Sequence, residues 1–374
     1  MNRLKNRLGL LAVLSAAALM AGCATTVSGT ASPAGEPAAS GQKAPPAAEP
    51  TDTPPSTPVN ADELMRKIRD ASVCDIHDVE ALAKFGAQRE AEGARRVFNE
   101  CWARAKNPNE PFSYLFDLKV GVEFGQKERT ENAPEPADGR TLHNYRYNKE
   151  KQDECMYYAP YPGADFAVSL RARKVPAKGA PDQVWPERCQ EAKSYLLRIM
   201  PKAEAFTPRS KPSTIPVVGK DPCARKDVLL GQYPDYQSGV SYVSPYQCRI
   251  RLFRPGNPVA LNVSVYWKID AVPRLEKTDQ GVGTWEAAAT RVGRFNAVKM
   301  VSAGRGPGGV QTGGSCGYAL IVEPAPPEDQ NGAVLAKVDL NDDFRAASFP
   351  PGANVPPPSC EPLTRFAEAV AGQL

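Results

Sequence analysis

Two stretches of the chain align with each other without a gap. ECWARAKNPNEPFSYLFDLKV runs from Glu100, and QCRIRLFRPGNPVALNVSVYW runs from Gln247. Cys101 falls on Cys248, Arg104 on Arg251, Pro108 on Pro255 and Pro111 on Pro258. Beyond the prolines both copies alternate. The first reads Phe112, Tyr114, Phe116, Leu118, Val120, and the second Val259, Leu261, Val263, Val265, Trp267. A period of two marks a strand with one buried face. The proline-bracketed Asn109 and Gly256 positions read as turns joining antiparallel strands. Agreement in register of a cysteine, an arginine, two prolines and five apolar positions marks an internal repeat.

The flanks do recur. Asp221-Pro222-Cys223 offers an Asp N-cap with proline at the first helical position, where its missing N–H costs nothing, and Gly231 can end that helix. In the first copy Val73-Cys74-Asp75 leads into Val79, Leu82 and Phe85, with Gly86 as the stop. After each hairpin comes a Gly-Arg strand, Gly139-Arg140 and Gly293-Arg294. A Cys-x-Tyr strand follows, Cys155/Tyr157 and Cys316/Tyr318, and then a further alternating strand, Phe166 to Leu170 and Val334 to Val338. Each copy closes with a helix entered through a cysteine. Cys189, Ala192, Leu196 and Ile199 share one helical face, and Cys360, Leu363, Ala367 and Val370 repeat the same offsets. The expected fold is therefore α+β: two tandem homologous domains, each an antiparallel sheet packed with N- and C-terminal helices. Residues 61–205 form the first repeat, 206–214 a linker and 215–374 the second.

Each repeat holds four cysteines in the order helix, strand, strand, helix. Eight cysteines admit 105 pairings, but this order favours first with second and third with fourth: Cys74–Cys101, Cys155–Cys189, Cys223–Cys248 and Cys316–Cys360. Four-cysteine structural zinc sites are normally built from pairs two to four residues apart, and no such pair occurs here. No metal and no other cofactor is expected.

The ninth cysteine, Cys23, stands apart. Arg3, Lys5 and Arg7 precede an uncharged apolar run from Leu8 to Met20, too short for a stop-transfer helix and built like a secretory leader. Leu19-Met20-Ala21-Gly22-Cys23 resembles the lipobox of bacterial lipoproteins, in which the cysteine thiol takes a diacylglyceryl group and becomes the mature N-terminus. Met20 departs from the usual leucine three positions before the cysteine. The leader is thus assigned to residues 1–22 and a lipidated tether to 23–60. From Ala24 to about Asn60 the chain is nearly all Ala, Pro, Ser, Thr, Gly and Glu, a composition that cannot bury enough apolar surface to fold. Its prolines favour extended conformations at about 3.1 Å per residue, a reach suited to holding a body off a membrane. Loss of the leader takes three of the net four positive charges, which leaves no electrostatic footprint for nucleic acid.

These features together resemble the cell-surface lipoproteins of actinobacteria that carry a DPC-type domain of unknown function. Cys23-Ala24-Thr25-Thr26-Val27-Ser28-Gly29 fits the start of that family, and Cys360-Glu361-Pro362-Leu363 leading to Ala369-Val370 fits its end. The resemblance covers each repeat loosely and the second better, since the first lacks a proline before Cys74. It implies lipid anchoring on the outer face of the plasma membrane and an α+β fold. It implies no reaction.

Catalytic patterns are sparse. The chain has two histidines. His77, flanked by Asp75 and Asp78 near a helix start, reads as a solvated surface residue, and His143 lies in an expected strand with no counterpart in the second repeat. Ser315-Cys316 follows Gly313-Gly314, but its first-repeat equivalent is Glu154-Cys155, so the cysteine reads as structural. The run from Ala303 to Gly314 reads as a flexible hairpin loop, since a strand follows it and phosphate cradles precede helices. As an insertion it is also a candidate binding loop through Arg305, Gly308 and Gly309. Tyr158, Tyr161, Tyr233 and Tyr236 lie near expected turns and are candidate interface residues, because tyrosine combines apolar area with a polar tip.

The expected function is that of a non-enzymatic interaction or sensing module on a membrane-anchored envelope lipoprotein, with an envelope protein or the cell wall as partner. The alternatives are a carrier of a small apolar ligand, which needs an apolar pocket of about 300–1,000 Å³, and a cell-wall hydrolase, which needs convergent carboxylates.

Overall fold

A computed structural model describes residues 60–93, 96–145, 154–176, 189–254, 260–279, 283–305, 311–324, 332–343 and 359–374. The leader, Cys23, nearly all of the tether, Gly308 and Gly309 lie outside the described residues.

The first helix, α1 (Ala61–Asp70), was not anticipated by pattern. Asn60 caps it by accepting the N–H of Asp62 at 2.9 Å, and Asp62 and Glu63 occupy the first turn where the helix dipole favours acids. Leu64, Met65 and Ile68 form its buried face. Two 3-10 turns follow, Val73–Ile76 and Glu80–Phe85, the second ending at Gly86. A side chain at Gly86 would meet the backbone of Lys106 at 2.4 Å, so the stop is also a close approach. The first sheet comprises β1 (Gln88–Glu92), β2 (Glu100–Lys106), β3 (Phe112–Glu123), β4 (Ala133–Ala137), β5 (Arg140–Tyr145), β6 (Glu154–Pro160) and β7 (Phe166–Pro176). A short helix, α2 (Gln126–Glu131), links β3 to β4, and α3 (Cys189–Ala205) closes this half. The strand order is β1-β2-β3-β7-β6-β5-β4, and every pairing is antiparallel.

The second half opens with α4 (Lys226–Leu230). Asp221 accepts the N–H of Cys223 at 2.9 Å, as an N-cap would, but the chain makes a turn there and the helix begins later. The second sheet holds β8 (Gln237–Ser244), β9 (Gln247–Phe253), β10 (Ala260–Ala271), β11 (Lys277–Asp279), β12 (Gly283–Val292), β13 (Phe295–Arg305), β14 (Gln311–Pro324) and β15 (Gly332–Asp343), followed by α5 (Glu361–Ala371). Its order is β8-β9-β10-β15-β14-β13-β12-β11, again antiparallel throughout. Apart from the short β11, the two sheets are wound in the same order.

The structure is thus mostly antiparallel sheet with few helices, and helix is scarcer than the α+β expectation. The Gly-Arg pairs mark turns rather than strand interiors. Gly139 (φ 72°) and Gly293 (φ 56°) take left-handed backbone at the β4–β5 and β12–β13 hairpins, a conformation glycine adopts without steric cost. The glycine run is less of a loop than expected, because Ala303 to Arg305 belong to β13 and Gln311 to Gly314 to β14.

Four disulfides staple these elements: Cys74–Cys101, Cys155–Cys189, Cys223–Cys248 and Cys316–Cys360, with Cα separations of 5.2 to 5.7 Å. Each joins a strand to a helix or turn packed on the same sheet face. The core side of β3 presents Tyr114, Phe116, Leu118 and Val120, and that of β10 presents Val263, Val265, Trp267 and Ile269. On the same core side α3 buries Ala192, Leu196 and Ile199 over β6 and β7, and α5 buries Leu363, Phe366, Ala367 and Val370 over β12, β14 and β15.

The described residues of both halves belong to one compact unit. The link after α3 is tied down: Arg209 donates its N–H to the Asp70 carbonyl and a guanidinium N–H to the Arg69 carbonyl. Tyr246, in the turn between β8 and β9, donates to the same Arg69 carbonyl at 3.3 Å and packs edge-on against Phe98. Gly121 makes this approach possible. It has φ 70° at a bulge in β3, and an added Cβ would lie 2.7 Å from Ile68 and 2.9 Å from Pro245.

A second glycine is fixed by a side chain. Gly317 on β14 stands opposite Asp339 on β15, and a Cβ there would lie 2.2 Å from the Asp339 carboxylate, which accepts the Tyr266 hydroxyl at 2.6 Å. Gly317→Ala is expected to lower stability by about 1–3 kcal/mol, the usual cost of overpacking. Urea titration of the variant beside Tyr266→Phe, which loosens the same carboxylate, measures how much of that cost is the displaced hydrogen bond.

Candidate functional site

Strand register brings together the polar side of the first sheet. Trp102 pairs with Asp117, Asp117 with Arg171, Arg171 with Met156 and Met156 with Tyr145, which makes one row across five strands. The neighbouring row on the same face is Glu100, Lys119, Ser169, Tyr158 and His143. Side chains two residues apart on a strand share a face, so both rows lie opposite the core. A depression of about 520 Å³ opens where they meet, lined by Asp117, Lys119, Tyr145, Met156, Tyr158, Ser169 and Arg171, with Val122 and Glu123 at one end.

The charges here are unequal in their partners. Glu100 is 3 % exposed and fully engaged: Trp102 Nε1–H donates to one of its oxygens, and Lys119 Nζ lies 3.1 Å from the other. The Arg173 guanidinium sits 5.3 Å over the Trp102 ring. Asp117 is 7 % exposed, and its Oδ1 has no hydrogen-bond partner. Burial first, and then the neighbouring Glu100 carboxylate, push its pKa up to about 6. Lys119, Arg171 and Arg173 oppose that rise. Desolvation likewise pushes the Tyr158 hydroxyl up to about 12, and its ring packs 4.9 Å from Phe124.

The corresponding place on the second sheet is built differently. Asp339 occupies the register position of Arg171, and Gly317 that of Met156. The Asp339 carboxylate lies over Gly317 and accepts the Tyr266 hydroxyl, so the second sheet satisfies its own carboxylate. Lys337 nearby is drawn below its usual pKa, chiefly by desolvation.

The other candidate residues are dispersed. Tyr161 is a correction: it is 3 % exposed, its ring packs against Phe206 and its hydroxyl reaches toward the Ala203 carbonyl at 3.4 Å. The end of β6 lies over the last turn of α3, which buries it. Tyr233 and Tyr236 are half-buried and stack edge-to-face at 5.3 Å between α4 and β8, on the other half of the molecule from Tyr158. Arg305 ends β13.

His77 is also a correction. It is 4 % exposed rather than solvated. A carbonyl can only accept, so Nε2–H donates to the Cys101 carbonyl at 3.0 Å, and Nδ1 accepts the Tyr195 hydroxyl at 2.8 Å. The Tyr195 oxygen in turn accepts the Asp78 N–H at 3.2 Å. Desolvation lowers the His77 pKa to about 4, and the neutral ring ties the turn beside Cys74 to β2 and α3. In the second half Phe366 stands at the place of Tyr195, counted from each helix-entry cysteine, and carries no hydroxyl. His143 is buried too, and its Nδ1 faces the Asn132 carbonyl at 3.4 Å.

A second depression, of about 740 Å³, lies between the start of α1 and β8 and includes Asp62, Arg66, Arg69, Glu123, Asp165 and Asp221. Among the described residues no cluster of His, Cys, Asp and Glu is arranged to hold a metal, and no helix is long and apolar enough to cross a membrane. No protein-family model matches the chain, and no curated protein is significantly similar to it.

Proposed function

We propose that the chain is a lipid-anchored envelope protein whose disulfide-stapled body binds a partner without chemical conversion. The observation that carries the reading is the outer face of the first sheet. It gathers a buried carboxylate, two cations, two tyrosines and a methionine around an open depression. Four bridges fit export to an oxidising compartment, and the leader and Cys23 supply the anchor. The DPC-type lipoproteins of actinobacteria remain the kin this reading implies.

Binding is favoured over hydrolysis because both histidines and Glu100 are committed to internal hydrogen bonds and ion pairs, and Glu123, the other carboxylate of the lining, lies 3.7 Å from the Arg249 guanidinium. Charged side chains line both depressions, and this gives carriage of an apolar ligand no support. The matched winding of the two sheets supports a tandem duplication. So does the register in which Cys101 meets Leu118 as Cys248 meets Val265. The single-partner face then belongs to the first copy.

Feeding an exporting bacterial host with labelled palmitate tests the anchor. The full chain is expected to take up label and fractionate with membranes, and Cys23→Ala to do neither. An unlabelled wild-type protein would overturn the lipoprotein reading.

A further inference from the structure

The depression on the first sheet points to one ligand chemistry. Its lining holds two carboxylates, Asp117 and Glu123, and two cations, Lys119 and Arg171, so it selects no net charge. Its volume of about 520 Å³ falls within the ~300–1,000 Å³ of small-ligand sites. Asp117 keeps one oxygen without a donor although the residue is more than nine-tenths buried. A buried acceptor in that state costs stability, and the second sheet shows that the same scaffold can satisfy a carboxylate internally, through Tyr266 and the space left by Gly317. The first sheet has Met156 in place of that glycine, and no hydroxyl is bonded to Asp117 Oδ1. Across Arg171 from the carboxylate, two strands away on β6, stand Met156 and Tyr158, a soft apolar chain and an aromatic ring with a polar tip, which line the same depression.

From this geometry we infer that the outer face of the first sheet is a saccharide-binding site. Asp117 accepts from a sugar hydroxyl, Lys119 and Arg171 donate to neighbouring hydroxyl oxygens, and Tyr158 and Met156 cover the apolar face of the ring. A sugar hydroxyl both donates and accepts, so one neutral ligand matches a site that offers acceptors and donors side by side. An ammonium ligand would meet Lys119 and Arg171, and a carboxylate ligand would meet Asp117 and Glu123. In a protein of the cell envelope the accessible saccharides are its surface glycans. The assignment rests on the envelope-binding reading and names the chemical class of its partner.

The test uses the full-length protein, purified in detergent from an exporting host so that its bridges form. Saturation-transfer NMR is run against short oligosaccharides of hexose, pentose and N-acetylhexosamine types, a muramyl dipeptide, and glycine and ethanolamine as charged small-molecule controls. At least one sugar is expected to receive saturation and to shift the labelled methyl of Met156. Asp117→Asn is expected to weaken that sugar roughly tenfold or more, the scale of a lost hydrogen bond to a charged group. The Met156 methyl reads the site in the unaltered protein, so a poorly folding variant does not decide the question. The inference is overturned if no sugar binds, if binding leaves the Met156 methyl unmoved or is unchanged in Asp117→Asn, or if glycine or ethanolamine displaces the sugar. None of those outcomes touches palmitate labelling at Cys23, so the anchor and the ligand fail separately.

Discussion

Replacing Cys316 and Cys360 together by serine is expected to lower the stability of the protein by about 4 kcal/mol. The bridge closes a loop of sequence separation 44, and the cross-link removes conformations from the unfolded chain in proportion to the logarithm of that length. It joins a core position of β14 to the entry of α5, whose buried face supplies Leu363, Phe366, Ala367 and Val370. The contact between the Tyr318 hydroxyl and Thr364, at 2.7 Å, survives the replacement and keeps the helix near the sheet. The parallel variant at Cys223 and Cys248 closes a separation of 25 and is expected to cost about half a kilocalorie per mole less. Urea midpoints of the two double variants give both values. A loss below about 1 kcal/mol for the longer loop would show that the unfolded chain is already compact around α5.

What could be read from the sequence divides along the sheet faces. The core side was legible, because Phe116, Leu118 and Val120 or Val263, Val265 and Trp267 alternate with polar residues, and each closing helix repeats its offsets after a cysteine. That periodicity follows from burial on one side. The edge strands were not legible. β4 reads Ala-Pro-Glu-Pro-Ala and β8 opens with Gln-Ser-Gly, and neither carries the alternation that marks a half-buried strand. The 3-10 turns at 73–76 and 80–85 took the place of an expected helix: Val73 and Ile76, and Leu82 and Phe85, are buried at a spacing of three, the 3-10 period, and Cys74 and His77 fasten the chain between them.

The candidate site was hidden for a related reason. Asp117, Lys119 and Arg171 sit at the polar positions of the alternation, where a sequence reading places solvent-facing charge. The register puts Trp102, Met156 and Tyr158 around them, and the crowding buries Asp117 almost completely. Tyr158 and Tyr161 share turn-like surroundings in the sequence, yet Tyr158 lines the depression and Tyr161 is core. The difference between them is the parity of the strand and the position of α3, which only the fold supplies.

Between pH 6.5 and 4 the stability of the protein is expected to carry two opposed contributions of similar size. His77 has its pKa lowered from 6.5 to about 4 by burial, against the raising effect of the Cys101 carbonyl and with Lys202 of α3 adding to the fall. As pH drops through 6.5 the unfolded chain takes up a proton that the folded chain refuses until about pH 4. Stability drawn from the neutral ring is therefore complete above pH 6.5 and is lost on the way to pH 4, by about 3 kcal/mol at ~1.4 kcal/mol per unit. Asp117 runs the other way. Its folded pKa of about 6 exceeds the ordinary 3.8, raised by burial and by Glu100 from β2 and opposed by Lys119 on its own strand and by Arg171 and Arg173 on β7. The cost of its charge is present above pH 6 and is relieved as pH falls toward 3.8, again by about 3 kcal/mol at most. Asp117→Asn removes that cost. The variant is expected to exceed the wild type by about 1–3 kcal/mol at pH 7.5, and the gap to close by pH 4. A stabilising loss of a carboxylate is the usual sign of a group kept for function rather than for the fold. In the same variant the fall due to His77 stands uncompensated, so its stability drops more steeply below pH 6.5 than that of the wild type. Urea midpoints of the two proteins at half-unit steps decide it. A difference that stays constant across the window would mean that Asp117 titrates at its ordinary pKa and is not buried as a charge.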